Sequence, residues 1–262
     1  IMKVCSIASG SSGNCIYVET KKTKLLIDSG LSGKTITQSL DTIGTKGNDL
    51  DGILVTHDHN DHVCGVGILS RKYDIPIYAN FATWEEIKDK IGKVKEKNIK
   101  YFEDKPFEIK DFFIEPFSIP HDACDPVGFS LYGNSKKMSI ATDLGYIDSM
   151  ILEKLYGADM VILEANHDVN MLTIGPYPYF LKRRVLSELG HLSNDSAGKA
   201  LVKLVEMGSE RALLAHLSRE NNFPELAFQT VYNILKDNKI DVGQDILVDV
   251  APRDMISDIY CL

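Results

Sequence analysis

The chain has 262 residues, of which 44% are hydrophobic and 25% charged, and its formal net charge at pH 7 is −8. These are the proportions of a globular protein that buries a substantial core, as one large α/β domain or two small ones. No apolar run approaches the roughly 20 residues that a membrane-spanning helix needs. The negative charge argues against a protein that coats nucleic acid non-specifically.

The cysteines indicate a reducing compartment. They are odd in number and widely spaced, they form no CxxC pair, and they lie at Cys5, Cys15, Cys64, Cys124 and Cys261. This pattern favours neither a disulfide framework nor a zinc–thiolate site. The N-terminus lacks the basic region and long apolar stretch of a signal peptide. We therefore expect reduced thiols and a cytoplasmic location.

Short apolar runs alternate with amphipathic stretches along the chain. In chain order, strands are predicted at Val4–Ala8, Cys15–Glu19, Lys24–Ile27, Gly52–Thr56, Ile75–Tyr78, Phe112–Phe117, Gly128–Tyr132, Lys137–Ala141, Met160–Leu163 and Ala212–Ala215. Helices are predicted at Lys34–Ile43, Val63–Lys72, Ala82–Ile91, Ile147–Leu155, Tyr179–Glu188, Asp195–Val205 and Pro224–Lys236. Because the strands come in clusters with helices between and after them, we expect two sheets covered by helices.

Metal-capable side chains follow, or end, several of these strands. They are Asp28 after "KLLI", His57 after "GILVT", Asp143 after "MSIAT", Glu164 after "MVIL" and His216 after "ALLA". Side chains at the ends of several strands converge at one edge of a sheet, where α/β proteins usually place their sites. The repetition predicts one shared site.

The sequence "HDHNDH" at 57–62 holds three of the seven histidines of the chain. Neutral imidazoles and carboxylates are the natural ligands of zinc, iron or manganese. His57 and His59 can face one metal from a tight loop, while Asp61 and His62 can reach a second metal nearby. A solvated polar loop is a poor explanation for so many ligand-capable residues in so short a stretch.

The remaining ligands must come from elsewhere in the chain. Asp143 follows a strand, and its two carboxylate oxygens could bridge two ions. His121 in "SIPHDACDP" and His216 in "LLAHLS" are single histidines at strand ends. Alone, each would more often be structural, but together with the loop they complete a set of seven ligands.

HxHxDH, an isolated His, an Asp after a strand and a late His, in that order, resemble the pattern of the metallo-β-lactamase superfamily. The resemblance covers nearly the whole chain and implies a single domain over residues 1–262. The implied fold is a four-layer αββα sandwich of the α/β class with a dinuclear metal site at the edge of its two sheets. It also implies two ligand sets with Asp143 between them: His57, His59 and His121 for one ion, and Asp61, His62 and His216 for the other.

The stretches "SIASGSSGNCIYVE", "HDHNDHVCGVGILSRKYDIPIYAN" and "LAHLSRENN" resemble the YycJ (WalJ) type of bacterial metallohydrolase, which is similar to ribonuclease Z. This implies cleavage of phosphodiesters in nucleic acids, with a 5′→3′ exonuclease activity on DNA. His191 in "GHLSN" resembles the phosphate-contacting histidine of ribonuclease Z, and Glu164 resembles the glutamate that orients it. A buried structural Glu–His contact is the alternative for this pair.

Two-metal chemistry implies catalytic roles for three residues. Two ions about 3.5–4 Å apart share a bridging hydroxide and hold it in line with phosphorus. Asp61 can orient that hydroxide, and a protonated His191 can bind the phosphate and protonate the leaving oxygen, with Glu164 behind it. The ligand chemistry fits two divalent ions of zinc, manganese or iron and does not choose among them.

The substrate-facing residues are less well defined by the sequence. "GPYPYFLKRR" at 175–184 places aromatic residues beside Arg183 and Arg184, which suits a nucleic-acid strand or equally a half-buried helix. "SGSSGN" at 9–14 lacks the glycine spacing of a dinucleotide site, but Ser11 or Asn14 could donate to a phosphate. His167 in "ANHDV" is a further pocket residue without an assigned role.

Two other functions remain open at this point. The same ligands would serve a small-molecule hydrolase, either a thioesterase like glyoxalase II or a cyclic-phosphate diesterase. The Glu164–His191 pair and the basic cluster at 182–184 favour nucleic acid, whereas the net charge favours a small substrate. The family resemblance implies DNA before RNA. A regulatory metal-binding module without catalysis is disfavoured, because all seven ligand positions are filled. We expect no membrane partner, and the sequence does not indicate an oligomeric state.

Overall fold

The computed structural model describes residues 1–262, which form two seven-stranded β-sheets with helices on their outer faces. The strands are β1 (Lys3–Ala8), β2 (Cys15–Glu19), β3 (Lys24–Ile27), β4 (Gly52–Leu54), β5 (Ile77–Ala79), β6 (Ile99–Tyr101), β7 (Phe107–Ile109), β8 (Phe112–Ser118), β9 (Val127–Gly133), β10 (Lys136–Ala141), β11 (Met160–Glu164), β12 (Arg211–Ala215), β13 (Leu247–Val250) and β14 (Tyr260–Cys261). The α-helices are α1 (Gly33–Thr42), α2 (Asn60–Val63), α3 (Val66–Tyr73), α4 (Phe81–Ile87), α5 (Ser149–Leu155), α6 (Val169–Ile174), α7 (Tyr179–Val185), α8 (Asn194–Glu206) and α9 (Pro224–Asp237).

The two sheets repeat one plan. The first has the order β14-β1-β2-β3-β4-β5-β6 and the second the order β13-β12-β11-β10-β9-β8-β7. In the first sheet β3 to β6 are parallel and β14, β1, β2 and β3 pair antiparallel. In the second sheet β10 to β13 are parallel and β7 to β10 pair antiparallel. The carboxyl ends of parallel strands in both sheets therefore supply neighbouring loops.

Three hydrophobic clusters lie between the four layers. One lies between the sheets and the other two lie between each sheet and its outer helices. Strand β2 shows the alternation that builds them, because Ile16 and Val18 face the inter-sheet cluster whereas Cys15 and Tyr17 face the helix-side cluster. This arrangement confirms the predicted four-layer αββα sandwich. The extension of one domain over residues 1–262 stays a prediction.

The predicted helix Val63–Lys72 is wrong as a single element, since the structure has α2 and α3 there. The helical partner of the Gly65 amide would be the carbonyl of Asp61, four residues earlier. That carbonyl accepts instead from the amide of Asn14 (2.8 Å), and Gly65 donates to the carbonyl of Ser29 (2.7 Å). A contact from a distant part of the chain thus interrupts the helix beside the histidine cluster.

Other boundaries also differ from the predictions. The helix predicted to Ile91 ends at Ile87, and the helix predicted to Glu188 ends at Val185. After α7 the chain turns back, so that the amide of His191 donates to the carbonyl of Val185 (3.0 Å). The short strands β6, β7, β13 and β14 and the helix α6 were not predicted. No helix is both long and apolar enough to cross a bilayer.

Candidate metal centre

The predicted ligands are brought together by the ends of strands in both sheets. His57 follows β4, while Asp61 and His62 lie on α2, which begins three residues later. Asp143 and His216 follow β10 and β12, the parallel strands that flank β11. Both have left-handed backbones, with φ of 60° and 56°. Non-glycine residues adopt this conformation uncommonly, and three of the eight that do so here, Asp28, Asp143 and His216, follow strands whose ends meet at this site.

Two groups of three side chains have the spacing of metal sites. His57, His59 and His121 form one group, and Asp61, His62 and His216 form the other. Within each group one ligand atom per residue lies within 4.8 Å of the others. His57, His62, His121 and His216 are buried, and His59 and Asp61 are half-buried. These are the two ligand sets that the sequence resemblance implies.

Asp143 lies between the two groups. Its Oδ2 is 3.3 Å from Nε2 of His62, and its Oδ1 is 3.8 Å from Nε2 of His121. It also forms a group of metal-site spacing with His57 and His62. The carboxylate therefore stands where a bridging ligand would be expected.

In four of the histidines Nδ1 is held by a neighbour, which leaves Nε2 for the centre. The hydroxyl of Thr56 lies 2.9 Å from Nδ1 of His57, and Asp28 lies 2.8 Å from Nδ1 of His62. The carbonyl of Gly190 lies 3.2 Å from Nδ1 of His121, and Glu164 lies 2.7 Å from Nδ1 of His216. An imidazole that donates from Nδ1 presents the Nε2 lone pair to a metal.

Buried atoms without partners provide a test of whether a metal fits. Nε2 of His57, Nε2 of His216 and Oδ2 of Asp143 are all buried and lack a hydrogen-bond partner. Buried polar atoms are almost always paired, so unpaired atoms that point into one space call for a ligand. Imidazole nitrogens with carboxylate oxygens fit zinc, manganese or iron. The residues present thus fit a divalent metal.

The electrostatics of the cluster agree with this interpretation. Burial lowers the pKa of His57 well below its usual value, and it also lowers the pKa of His121. Burial alone would raise the pKa of Asp143, but His216 and His62 outweigh it and hold that pKa well below the usual value. Burial opposes protonation of His216, yet Asp143, Asp61 and Glu164 raise its pKa to about 10. A divalent cation would replace the protons that these carboxylates attract.

Glu164 is connected to both His191 and the metal cluster. Its Oε1 lies 2.9 Å from Nδ1 of His191 and 2.7 Å from Nδ1 of His216, while its Oε2 accepts from the amides of Leu144 and Leu192. Burial would raise the pKa of Glu164, but His191 and His216 lower it to about 2. Asp143, Glu164, His191 and His216 also have metal-site spacing. Because both oxygens of Glu164 already accept two hydrogen bonds each, this grouping is better explained as support for the two histidines.

A backbone network fixes the histidine loop against residues 14 and 28–31. Asn14 donates to the carbonyl of Asp61, Ser29 donates to that of His62 (2.8 Å), and Gly30 donates to that of Asn14 (2.9 Å). A Cβ on Gly30 would lie 1.6 Å from the carbonyl oxygen of Asp61, so only glycine fits. The side chain of Asn14 also lies 3.0 Å from Nε2 of His62, at the border of the second ligand group.

A cavity of about 140 Å³ opens beside His191 and His216. Two of the sequence-predicted substrate residues line it, namely Ser11 and Arg184, together with Asp122, Asn166, Tyr177, Leu181, Val185, Gly190 and Ser218. His191 is partly exposed and its ring centroid lies 5.2 Å from that of His121 and 5.3 Å from that of His216. The cavity therefore reaches His216 of the second ligand group and His191.

Three predicted substrate residues lie outside the lining of this cavity, namely Asn14, described above, Arg183 and His167. Arg183 is exposed on α7. His167 is only 1% exposed, and neither of its ring nitrogens has a partner. Burial lowers the pKa of His167 to about 4, so it is a neutral interior side chain at pH 7. The prediction of His167 as a pocket residue has no support from its position.

The sequence interpretation missed the residues that hold the ligands. Asp28 was noted at a strand end but given no role, and Thr56 was treated as the last residue of a buried strand. The backbone amide of Thr56 donates to Asp28 (2.9 Å), and its hydroxyl donates to the other carboxylate oxygen (2.8 Å). The left-handed backbone of Asp28 (φ 59°) turns its side chain toward this network. The one indication of this network in the sequence was Asp28 itself, a carboxylate directly after β3.

Residues 23–217 match the family described as the beta-lactamase superfamily domain. The chain belongs to the metallo-β-lactamase superfamily. Among its superfamily relatives, exodeoxyribonuclease WalJ of Streptococcus pneumoniae is 43% identical over 254 residues, covering 95% of this chain and 94% of the relative. Exodeoxyribonuclease YycJ of Bacillus anthracis is 40% identical over 241 residues, covering 91% and 90%.

Solved structures of the metallo-β-lactamase superfamily share the fold. The metallo-β-lactamase fold protein YhfI of Bacillus subtilis aligns with a TM-score of 0.74 at 18% identity, covering 98% of both chains. Human tRNase Z, short form, aligns with a TM-score of 0.66 at 18% identity, covering 99% of this chain and 100% of that one. The predicted superfamily and fold are confirmed, and so is the prediction of an enzyme, a metal-dependent hydrolase.

Proposed function

We propose that the protein is a dinuclear metal-dependent phosphodiesterase that removes nucleotides from the 5′ ends of DNA. The observation that carries the proposal is the arrangement of four histidines, each held at Nδ1 by a neighbour, within two ligand groups that flank Asp143. The names of the two curated relatives support DNA as the substrate. They do not favour the alternative of a thioesterase or a cyclic-phosphate diesterase.

In this proposal each ion has its own ligand group. His57, His59 and His121 would hold one ion, Asp61, His62 and His216 would hold the other, and Asp143 would contribute its carboxylate to both. When bound, such a pair of divalent ions lowers the pKa of a shared water and neutralises charge on the phosphate. Zinc, manganese and iron all suit this mixed ligand set.

The protein's own groups position the reactants. Asp61 Oδ2 lies 3.7 Å from Nε2 of both His62 and His216, so it borders the space where the attacking oxygen would stand. It can accept a hydrogen bond there and orient the lone pair of that oxygen toward phosphorus. Burial would raise the pKa of Asp61, but His216 and His62 lower it, so the carboxylate is an acceptor at neutral pH.

His191 is the proposed acid. Glu164 holds its Nδ1, which leaves Nε2 free toward the substrate. Burial disfavours its protonated form, but Glu164 and Asp143 outweigh burial and raise its pKa. A protonated His191 can bind a phosphate oxygen and pass the Nε2 proton to the leaving oxygen. Glu164 is then a positioning residue, because it touches the histidine and not the substrate.

Weaker assignments complete the proposal. Ser11, Asn14 and Arg184 border the cleft or the second ligand group and are proposed to contact phosphates. RNA would fit the same backbone chemistry, so DNA rests on the relatives alone. Since all five cysteines are unpaired, the proposal places the enzyme in the reducing cytoplasm.

The test is cleavage of 5′-labelled and 3′-labelled DNA and RNA, single- and double-stranded, by metal-stripped protein reloaded with manganese or zinc. Metal content per chain is measured in parallel, with Asp143→Ala as the control. We expect two ions per chain and stepwise shortening of DNA from the 5′ end, both diminished in Asp143→Ala. Turnover of a small phosphodiester or a thioester with no cleavage of any nucleic acid would overturn nucleic acid as the substrate. It would not contradict the proposed metal site.

A further inference from the structure

The segment of residues 169–187, which contains α6 and α7, has an unusual surface for an acidic protein. It carries three cations and no carboxylate, whereas the whole chain has a net charge of −8. Tyr179 is 76% exposed and Phe180 is 72% exposed, and Arg183 is exposed beside them. Exposed apolar patches on soluble proteins usually mark a binding site.

Helix α7 also forms one wall of the cavity beside His191 and His216. Tyr177 precedes it, and Leu181 and Arg184 lie on it, and all three line the cavity next to His191. Arg184 pairs with Asp122, the residue after His121, and the amide of His191 donates to the carbonyl of Val185. The exposed aromatic residues are thus fixed at a short distance along the chain from the proposed acid.

The charge of Arg183 is available to a ligand. Its guanidinium lies 5.9 Å from the ring centroid of Tyr179, and it takes part in none of the salt bridges of the protein. Lys182, its neighbour, donates to the carbonyl of Thr173 and so joins α7 to α6. Exposed aromatic rings beside an unpaired cation are the combination with which proteins bind single strands, because every base has a π-face and every linkage a charge.

We propose that the α7 surface, formed by Tyr179, Phe180 and Arg183, binds the unpaired strand of the nucleic acid by stacking its bases and directs that strand into the cavity. The proposal rests on the proposed function and adds a substrate class, an end with unpaired nucleotides. The cavity beside His191 and His216 has a volume of about 140 Å³, which suits a nucleotide unit rather than a duplex. We therefore expect a strand to separate from its partner before its end enters this cavity.

A polyanion fits this surface better than a protein partner does. Aromatic residues and arginine also occur in protein interfaces, but between Asp168 and Glu188 the segment holds only cations, which complements a strand of phosphates. A second copy of this chain would bring a net charge of −8 without the regular spacing of phosphates and bases. Binding of a second copy gives a distinct outcome in the test below.

The experiment compares the metal-loaded wild type with Tyr179→Ala/Phe180→Ala on a single-stranded oligonucleotide and on bis(p-nitrophenyl) phosphate. We expect the KM for the oligonucleotide to rise at least about tenfold in the double variant, since base–aromatic stacking is substantial for each base. The ratio of kcat/KM for the oligonucleotide to that for the small diester should fall accordingly. Tyr156→Ala is the matched control, because Tyr156 is 60% exposed at the opposite edge of the sheet, before β11.

An oligonucleotide with abasic positions behind its end identifies stacking as the cause. The wild type should have a higher KM for this oligonucleotide than for the intact one. The KM of the double variant should differ little between the two. An unchanged ratio in the double variant overturns the inference, and so does an equal loss on both substrates. A wild type that dimerises through this surface, with unchanged KM in the monomeric variant, assigns it to a second copy instead. If the wild type cleaves no nucleic acid at all, it is the proposed function that fails.

Discussion

Glu164 Oε1 lies 2.7 Å from Nδ1 of His216, and the same oxygen lies 2.9 Å from Nδ1 of His191. One buried carboxylate oxygen therefore orients a proposed metal ligand and the proposed acid. The other oxygen accepts from two backbone amides, so the carboxylate cannot rotate without losing hydrogen bonds. The proposed metal site and His191 are linked through this single side chain.

Glu164→Gln is expected to weaken metal binding by about 10–100-fold, as loss of such support does elsewhere. An amide offers one acceptor and one donor group, so two of the four donors around residue 164 would lose their acceptor. Chelator competition measures the affinity, and Glu153→Gln is the control, because Glu153 is exposed on α5. Unchanged affinity in Glu164→Gln would show that the charge and both acceptor oxygens are dispensable.

Asp28→Asn is expected to reduce occupancy of the ion held by Asp61, His62 and His216 before that of the other ion. Asp28 fixes Nδ1 of His62 directly, whereas it reaches His57 of the first group only through the hydroxyl of Thr56. Metal per chain, measured during stepwise dialysis against a chelator, should fall from two ions to one at a lower chelator concentration than in the wild type. Simultaneous loss of both ions at the wild-type concentration would contradict this prediction.

Gly30→Ala is expected to destabilise the fold by about 1–3 kcal/mol or more and to impair metal uptake, because the added Cβ would meet the carbonyl of Asp61. Urea denaturation gives the free energy of unfolding. Gly44→Ala is the control, since its Cβ would meet nothing within 4 Å although its φ is +75°. The control should lose about 1 kcal/mol from its left-handed backbone and take up metal normally.

His167→Phe should become more stable relative to the wild type as the pH falls from 7 to 5. The pKa of His167 is lowered from 6.5 to about 4 in the fold, so within this window the unfolded chain binds more protons than the native one. Between pH 7 and pH 5 the free energy of unfolding of the wild type should therefore fall by about 2 kcal/mol relative to that of the phenylalanine variant. Urea titrations of the metal-free proteins at both pH values measure the difference, and a constant difference would refute a buried neutral imidazole.

Local sequence pattern predicts the parts of this structure that local chemistry determines. The clustering of the candidate ligands was predictable because His57, Asp143 and His216 each follow an apolar strand, and strand ends converge. Thr56 was missed because a threonine at the end of an apolar run is typical of a strand and does not show its contact with Asp28. The interruption of the helix at Gly65 depends on Asn14, and short edge strands such as β14 have too few residues to show alternation.

Each of the two ligand groups draws on both halves of the sandwich. His57, His59, Asp61 and His62 follow β4 of the first sheet, whereas His121 and His216 follow β8 and β12 of the second. Each bound ion would therefore link the two sheets, since neither ligand group can be completed from one sheet. Removal of metal should let the two sheets part at this edge, so that amides beside His62 and His216 begin to exchange with solvent together.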